Sequence, residues 1–177
     1  MPSTTPSSGQ RHKLAWDVIR HGQQTKGVGL TPVTVSFLGA ANSFDRPLFS
    51  SGSYALTGEW RVVGARITSD TTVAAGAAGN NYWVFQIRNV GTAGAGTDDL
   101  SASGLSTITV AVTENTPTVI PIEGPGNSTP TNVYMGENES LYLNAVETGA
   151  GTDLSTANIT VTLFLLNSPP GRSAFQA

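Results

Sequence analysis

The chain contains no cysteine. That excludes disulfides, thiol nucleophiles and cysteine-ligated metals. Charge is also scarce: 12% of residues are charged, against about 25% in an average soluble domain. The surface must therefore be built from Thr, Ser, Asn and Gly. Histidine occurs twice, at His12 and His21, so histidine-based catalysis has few places to form. No apolar run approaches the ~20 residues of a membrane span, so no membrane partner is expected. Residues 1–9 lack the apolar stretch of a secretory signal. The sharpest absence is local, because no lysine or arginine lies between Arg88 and Arg172.

That interval carries eight acids: Asp98, Asp99, Glu114, Glu123, Glu137, Glu139, Glu147 and Asp153. The first 26 residues are biased the other way, with Arg11, Lys13, Arg20 and Lys26 against Asp17. Four cations and one acid give the leader +3; five cations and eleven acids give the remainder −6. The net charge of −3 hides this division. Two ends of opposite sign suggest two different jobs.

The 177 residues suit one domain with an appendage. Residues 1–29 read as an extended basic arm, 30–168 as the folded domain and 169–177 as a tail. The first ten residues offer nothing apolar to bury. Leu14, Trp16 and Val18 then alternate as a strand would, while Leu14, Val18 and Ile19 also fit one helical face. Gly27 and Gly29 punctuate the exit from the arm.

From Pro32 onward the patterning has a period of two. Val33, Val35 and Phe37 alternate with small polar residues. Residues 60–67 are rich in Val, Ile and Arg. Trp83, Phe85 and Ile87 mark one face of a strand over 82–90. Ile108, Val110 and Val112 form another one-sided set, as do Leu141, Leu143 and Ala145. Pro117 and Pro121 place residues 118–122 at a sheet edge or bend. Ile159, Val161, Leu163 and Leu165 make a long buried face, and Phe164 and Leu166 turn the opposite face apolar. That end should be covered on both sides, as a neighbouring subunit would do. Residues 39–54 read as a loop in which Phe44, Phe49 and Tyr54 tuck onto the core edge. Seven to eight short strands without a convincing helix predict an all-β antiparallel sandwich of jelly-roll type.

An internal echo pairs residues 94–98 with 149–153, both Gly-Ala-Gly-Thr-Asp. The pattern suggests equivalent hairpins at one end of the sandwich. It also suggests calcium, held by Asp98, Asp99 and Asp153 with Glu137 or Glu139, because hard cations favour oxygen-rich turns. The simpler reading is favoured: the glycines shape turns and the acids accept backbone N–H bonds. No metal and no cofactor is expected.

Other chemistry is thinly supplied. A Ser-His-Asp set would need His12 or His21 to fold back onto the body. Asp98-Asp99 and Glu137-x-Glu139 are paired carboxylates, but acid–base work needs such pairs to face each other across a cleft. The expectation is that the chain is not an enzyme. The basic leader lacks a nucleic-acid motif and its acidic body would repel phosphate, so no nucleic-acid partner is expected. A protein with a negative surface fits better. Arg11, Lys13 and Arg20 would supply attraction, and Leu14, Trp16, Val18 and Ile19 would supply buried anchors. The same arm could instead pack on its own domain or a sister subunit.

A basic arm ahead of a Thr/Gly/Ala-rich β domain resembles the small decoration, or cement, proteins of tailed-bacteriophage heads. Residues 58–70 (GEWRVVGARITSD), 81–89 (NYWVFQIRN), 136–143 (GENESLYL) and 157–161 (ANITV) carry the likeness, which spans about 58–166. The resemblance implies a homotrimer on the outer capsid surface of the virion. Its arms would hold the major capsid protein and bridge neighbouring capsid subunits. The alternative is a receptor- or glycan-binding module of a phage tail or fibre, for which Tyr134, Tyr142 and Trp60 could serve as sugar-facing aromatics, although Trp60 reads rather as a core residue.

Overall fold

A computed structural model of the chain describes residues 30–50, 59–76, 81–101, 103–122, 134–136 and 138–168. No helix occurs among them. The strands are β1 (Leu30–Leu38), β2 (Phe44–Ser50), β3 (Glu59–Ser69), β4 (Tyr82–Asn89), β5 (Asp98–Asp99), β6 (Leu105–Ser106), β7 (Thr118–Ile120), β8 (Tyr134–Met135), β9 (Ser140–Thr148) and β10 (Asn158–Ser168).

Pairing runs from the outside of the sequence inward. β1 pairs with β10, β2 with β9, β3 with β7 and β8, and β4 with β5 and β6, all antiparallel. The chain is thus one long antiparallel ribbon rolled up on itself. Two further ladders, β10 on β3 and β9 on β4, close the roll into sheets. Sheet A has the order β1-β10-β3-β7, with β8 also on β3. Sheet B has the order β2-β9-β4-β5, with β6 also on β4. Counting β5 with β6 and β7 with β8 as interrupted strands gives four strands per sheet, the jelly-roll arrangement that the strand patterning anticipates.

The alternation explains the core. Trp83, Phe85 and Ile87 from β4, Leu141, Leu143 and Ala145 from β9, and Ile159, Val161, Leu163 and Leu165 from β10 are all buried between the sheets. Trp83 lies at 5.9 Å from Phe44 and 6.0 Å from Phe85, ring centre to ring centre. Its indole Nε1 donates to the Thr152 carbonyl at 2.9 Å. Gly151 makes that approach possible, since a Cβ there would sit 2.7 Å from the same nitrogen.

Edges are handled by proline. Pro32 lies on β1 and Pro47 on β2, each an outermost strand. Proline lacks the N–H that an interior ladder needs, so the edge tolerates it. β7 is also an edge strand, flanked by Pro117 and Pro121 as their positions imply.

Three expectations fail. Residues 44–50 are not a loop but the edge strand β2. A register shift between Pro47 and Phe49 buries Leu48 and Phe49 in succession, which erases the period-two signal. The aromatics Phe44 and Phe49 are nevertheless buried, as expected of that segment. Residues 108–112 do not form a strand. The Ser106 hydroxyl accepts the Ile108 N–H at 3.3 Å, a local turn bond that competes with the ladder. Val110 is left exposed, and Val112 makes a single bridge to Val73. The two Gly-Ala-Gly-Thr-Asp turns do not share an end. The first bonds back to Val90 through Gly96 N–H, beyond the end of β4. The second lies beside Trp83, near the start of β4. Six residues of strand separate Trp83 from Asn89, or roughly 20 Å.

Candidate interaction surfaces

The arm residues singled out as capsid-binding, Arg11, Lys13, Leu14, Trp16, Val18, Ile19 and Arg20, lie outside the described residues. So do His12 and His21. The structure does place their point of attachment. The arm joins the body at Leu30, the exposed first residue of edge strand β1. Leu30 pairs with Leu166 near the end of β10, so the first and last described strands begin and end at the same pole.

On the outer face of sheet B a polar rail crosses four strands. The Asn144 Nδ2 on β9 donates to Asp45 Oδ1 on β2 at 2.8 Å. The Arg88 guanidinium on β4 donates to Asn144 Oδ1 at 3.1 Å, and to Asp99 on β5 through Nε at 2.8 Å. The bond to Asp99 raises the Arg88 pKa above its ordinary value, against the opposing effect of partial burial. Asn144 is 8% exposed and bonded on both sides of its amide. The rail satisfies itself and ties the strands together.

The acids are occupied in the same way. Glu139 Oε2 accepts from Gly136 N–H and Asn89 Nδ2, each at 2.7 Å. Glu147 Oε1 accepts from Gly151 N–H at 2.8 Å. Asp70 Oδ1 accepts from Asn158 N–H at 2.8 Å. Asp153 Oδ1 accepts from Ser155 N–H at 2.8 Å, which lowers the Asp153 pKa. These carboxylates shape turns and hold strand ends. Among the described residues no group of three or more His, Asp or Glu is placed to hold a metal ion. Asp98 and Asp99 are separated from Asp153 by the length of β4, so the calcium grouping is not assembled. Glu137 lies outside the described residues.

The proposed sugar-facing aromatics do not form a set either. Trp60 is buried against Phe49 at 5.7 Å. Tyr142 is half-buried on sheet B, and the Tyr134 side chain is outside the described residues.

The outer face of sheet A differs from all of this. Next to the hydroxyl pairs Thr34–Thr162 and Ser36–Thr160 it turns apolar. A shallow groove of about 320 Å³ is lined by Leu30, Val63, Val119, Phe164 and Arg66 over the backbone of 64–65. Leu30 is 55% exposed, Val63 40% and Val119 59%. A bulge makes the groove: the β10–β3 register slips between Phe164 and Leu165, so Val63 and Gly64 together oppose Phe164. Gly64 has no side chain and the Phe164 ring lies over it. Arg66 also lies over the ring, its guanidinium carbon 5.5 Å from the ring centre. The apolar face of Phe164 and Leu166 was legible in the sequence. Val63 and Val119 were missed, because neither a bulge nor a three-residue edge strand leaves a periodic trace.

No protein-family model matches the chain. A search of curated proteins found no match. Among solved structures, a chain described as "Cyanophage Pam1 capsid asymmetric unit" matches 80% of this chain and 85% of its own length. The identity is 15% and the TM-score 0.40. A likeness that loose carries no functional argument.

Proposed function

We propose that the chain is a non-enzymatic virion protein that binds the outer surface of a phage capsid and bridges capsid subunits through its basic arm. The observation that carries this reading is the place of attachment. In sequence, a cationic stretch with one tryptophan precedes Leu30, the exposed first residue of an edge strand, and the body behind it is a jelly roll. A segment that precedes an edge strand could lie along another surface without unfolding the domain. The charge division supports the same reading, because an arm of +3 is attracted to an acidic shell and a body of −6 is not. Binding only the assembled lattice would stabilise it by mass action, with no reaction needed.

The test uses the full chain with Arg11→Glu, Lys13→Glu and Trp16→Ala combined. Cosedimentation with phage heads of the cognate virus should fall by about tenfold or more, since interface anchors of these types each contribute more than ~1 kcal/mol. The β circular dichroism signature should not change. Undiminished cosedimentation of the variant would overturn the arm's role.

A further inference from the structure

We infer that the free edge of β1 is the docking place of the chain's own arm, which adds residues 14–18 to sheet A as a further antiparallel strand and sets Trp16 over the open seam between the two sheets. Among the described residues no strand lies beyond β1 in sheet A. Gly39 N–H bonds to the Ala157 carbonyl at 2.9 Å, on the β10 side. Backbone groups alternate in direction along a strand, so the odd residues of β1 serve β10 and the even ones face outward. Pro32 is one of the even residues and has no N–H to offer. Past it, Thr34, Ser36 and Leu38 turn their N–H groups to the open edge, which is the template an extended segment needs.

The inward side of that edge is unfinished. Val33, Val35 and Phe37 point into the sandwich but are only half-buried, whereas Ile159, Val161 and Leu163 opposite them on β10 are buried completely. At one end of the seam Phe37 meets Phe44 of β2 at 6.3 Å. Toward Val35 the seam opens into a groove of about 420 Å³, where Val35, Pro47, Leu48, Phe49 and Tyr142 are joined by two serines and no charged side chain.

Three features select the arm as occupant. Its pattern fits: Leu14, Trp16 and Val18 alternate with Ala15 and Asp17. With Trp16 opposite Val35, Val18 lies opposite Val33 and Leu14 opposite Phe37, all on the inward side, while Ala15 and Asp17 join the hydroxyl face. Its attachment fits: the arm enters β1 at Leu30, and residues 19–29, with Gly22, Gly27 and Gly29, remain for the return. A short flexible tether gives an effective concentration of about a millimolar, which a second copy at micromolar concentration does not match. Its charge fits: Arg11, Lys13 and Arg20 flank the added strand and meet no cation in this groove, whereas the groove on the outer face of sheet A would oppose them with Arg66. The contact belongs to the free chain and stands apart from capsid binding; a shell that takes the arm must first displace it from β1.

The test is amide hydrogen exchange on the purified full chain with no shell present. The N–H groups of Thr34, Ser36 and Leu38 should exchange at least about tenfold more slowly than unprotected amides. Leu14→Asp combined with Trp16→Asp should abolish that protection, while Val33, Val35 and Phe37 stay slow through their bonds to β10. Fast exchange at Thr34, Ser36 and Leu38 in the unaltered chain would overturn the inference. Protection that survives the double substitution would assign the edge to another segment, such as residues 51–58, and protection lost on dilution would assign it to a second copy; either result overturns it. The absence of cysteine allows a second readout. Trp16→Cys with Val35→Cys should oxidise to a disulfide within one chain, because directly opposed residues of neighbouring strands lie within disulfide reach. Failure to oxidise, or a disulfide-linked dimer in its place, would contradict the docking of the chain's own arm.

Discussion

Replacing Arg88 with methionine isolates what the sheet B rail contributes. Methionine keeps most of the aliphatic stem and removes every donor. Two groups lose a partner. Asn144 Oδ1 sits on a residue 8% exposed, so water can only partly replace the guanidinium. An acceptor left unsatisfied in such a place costs about 1–3 kcal/mol, and partial water access argues for the lower half. The Asp99 side chain is 28% exposed and can rehydrate. Losing its ion pair therefore costs only about 0.5–1 kcal/mol. Together the loss is about 2 kcal/mol. Asp99→Asn should cost less, about 1 kcal/mol or under, because Arg88 keeps its bond to Asn144. For a domain of this size about 2 kcal/mol corresponds to roughly 4–8 °C in Tm. The assay is urea denaturation of both variants, with the double variant completing a cycle. If Arg88→Met costs no more than Asp99→Asn, then the amide of Asn144 is not held by the rail and the account is wrong.

Two further outcomes follow from single turns. Gly151→Ala would place a Cβ 2.7 Å from Trp83 Nε1 and 3.0 Å from Cδ1; the buried ring cannot retreat, so stability should fall by about 1–3 kcal/mol, with an altered tryptophan emission in the native state. An unchanged emission and midpoint would mean that the turn shifts freely. Asp153 is held below its usual pKa by Ser155 N–H, so its contribution is present above the unfolded value near pH 4 and is lost as pH falls through the lower folded value. Asp153→Asn should remove that part of the acid dependence, and the stability difference between variant and parent should be constant at neutral pH and above; a steeper acid limb in the variant would contradict the sign.

The fold was legible wherever period-two alternation ran unbroken. β4, β9 and β10 show it over seven or more residues each, and each fills the core with the residues the alternation selects. It failed where the backbone departs from simple pleating. At β2 the slip at Leu48 puts two adjacent apolar residues inside, and a run with proline and successive buried residues reads as a loop. At 108–112 the apolar spacing was right for a strand, but the Ser106 hydroxyl accepts the Ile108 N–H in a local turn bond. The two glycine-rich turns show a different limit. Identical turn chemistry reports the local bend and not which end of the barrel holds it, because both ends of a jelly roll need tight connections.

The same reasoning explains why the sheet A groove could be half seen. Phe164 and Leu166 belong to a strand whose other face is continuously buried, so their apolarity on the outward side stands out in the sequence. Val63 sits in a strand that alternates normally on both sides of it. Removing one residue there would restore the register and place the inward set unchanged, so nothing in the inward pattern demands the insertion. The extra residue serves the outer face, where it flanks Phe164 and leaves Gly64 beneath the ring. A bulge also bends its strand and strengthens the local twist that a rolled sheet needs. The one extra residue therefore shapes the backbone and at the same time places an exposed valine beside Phe164, which is how the outer face of sheet A acquires its apolar groove.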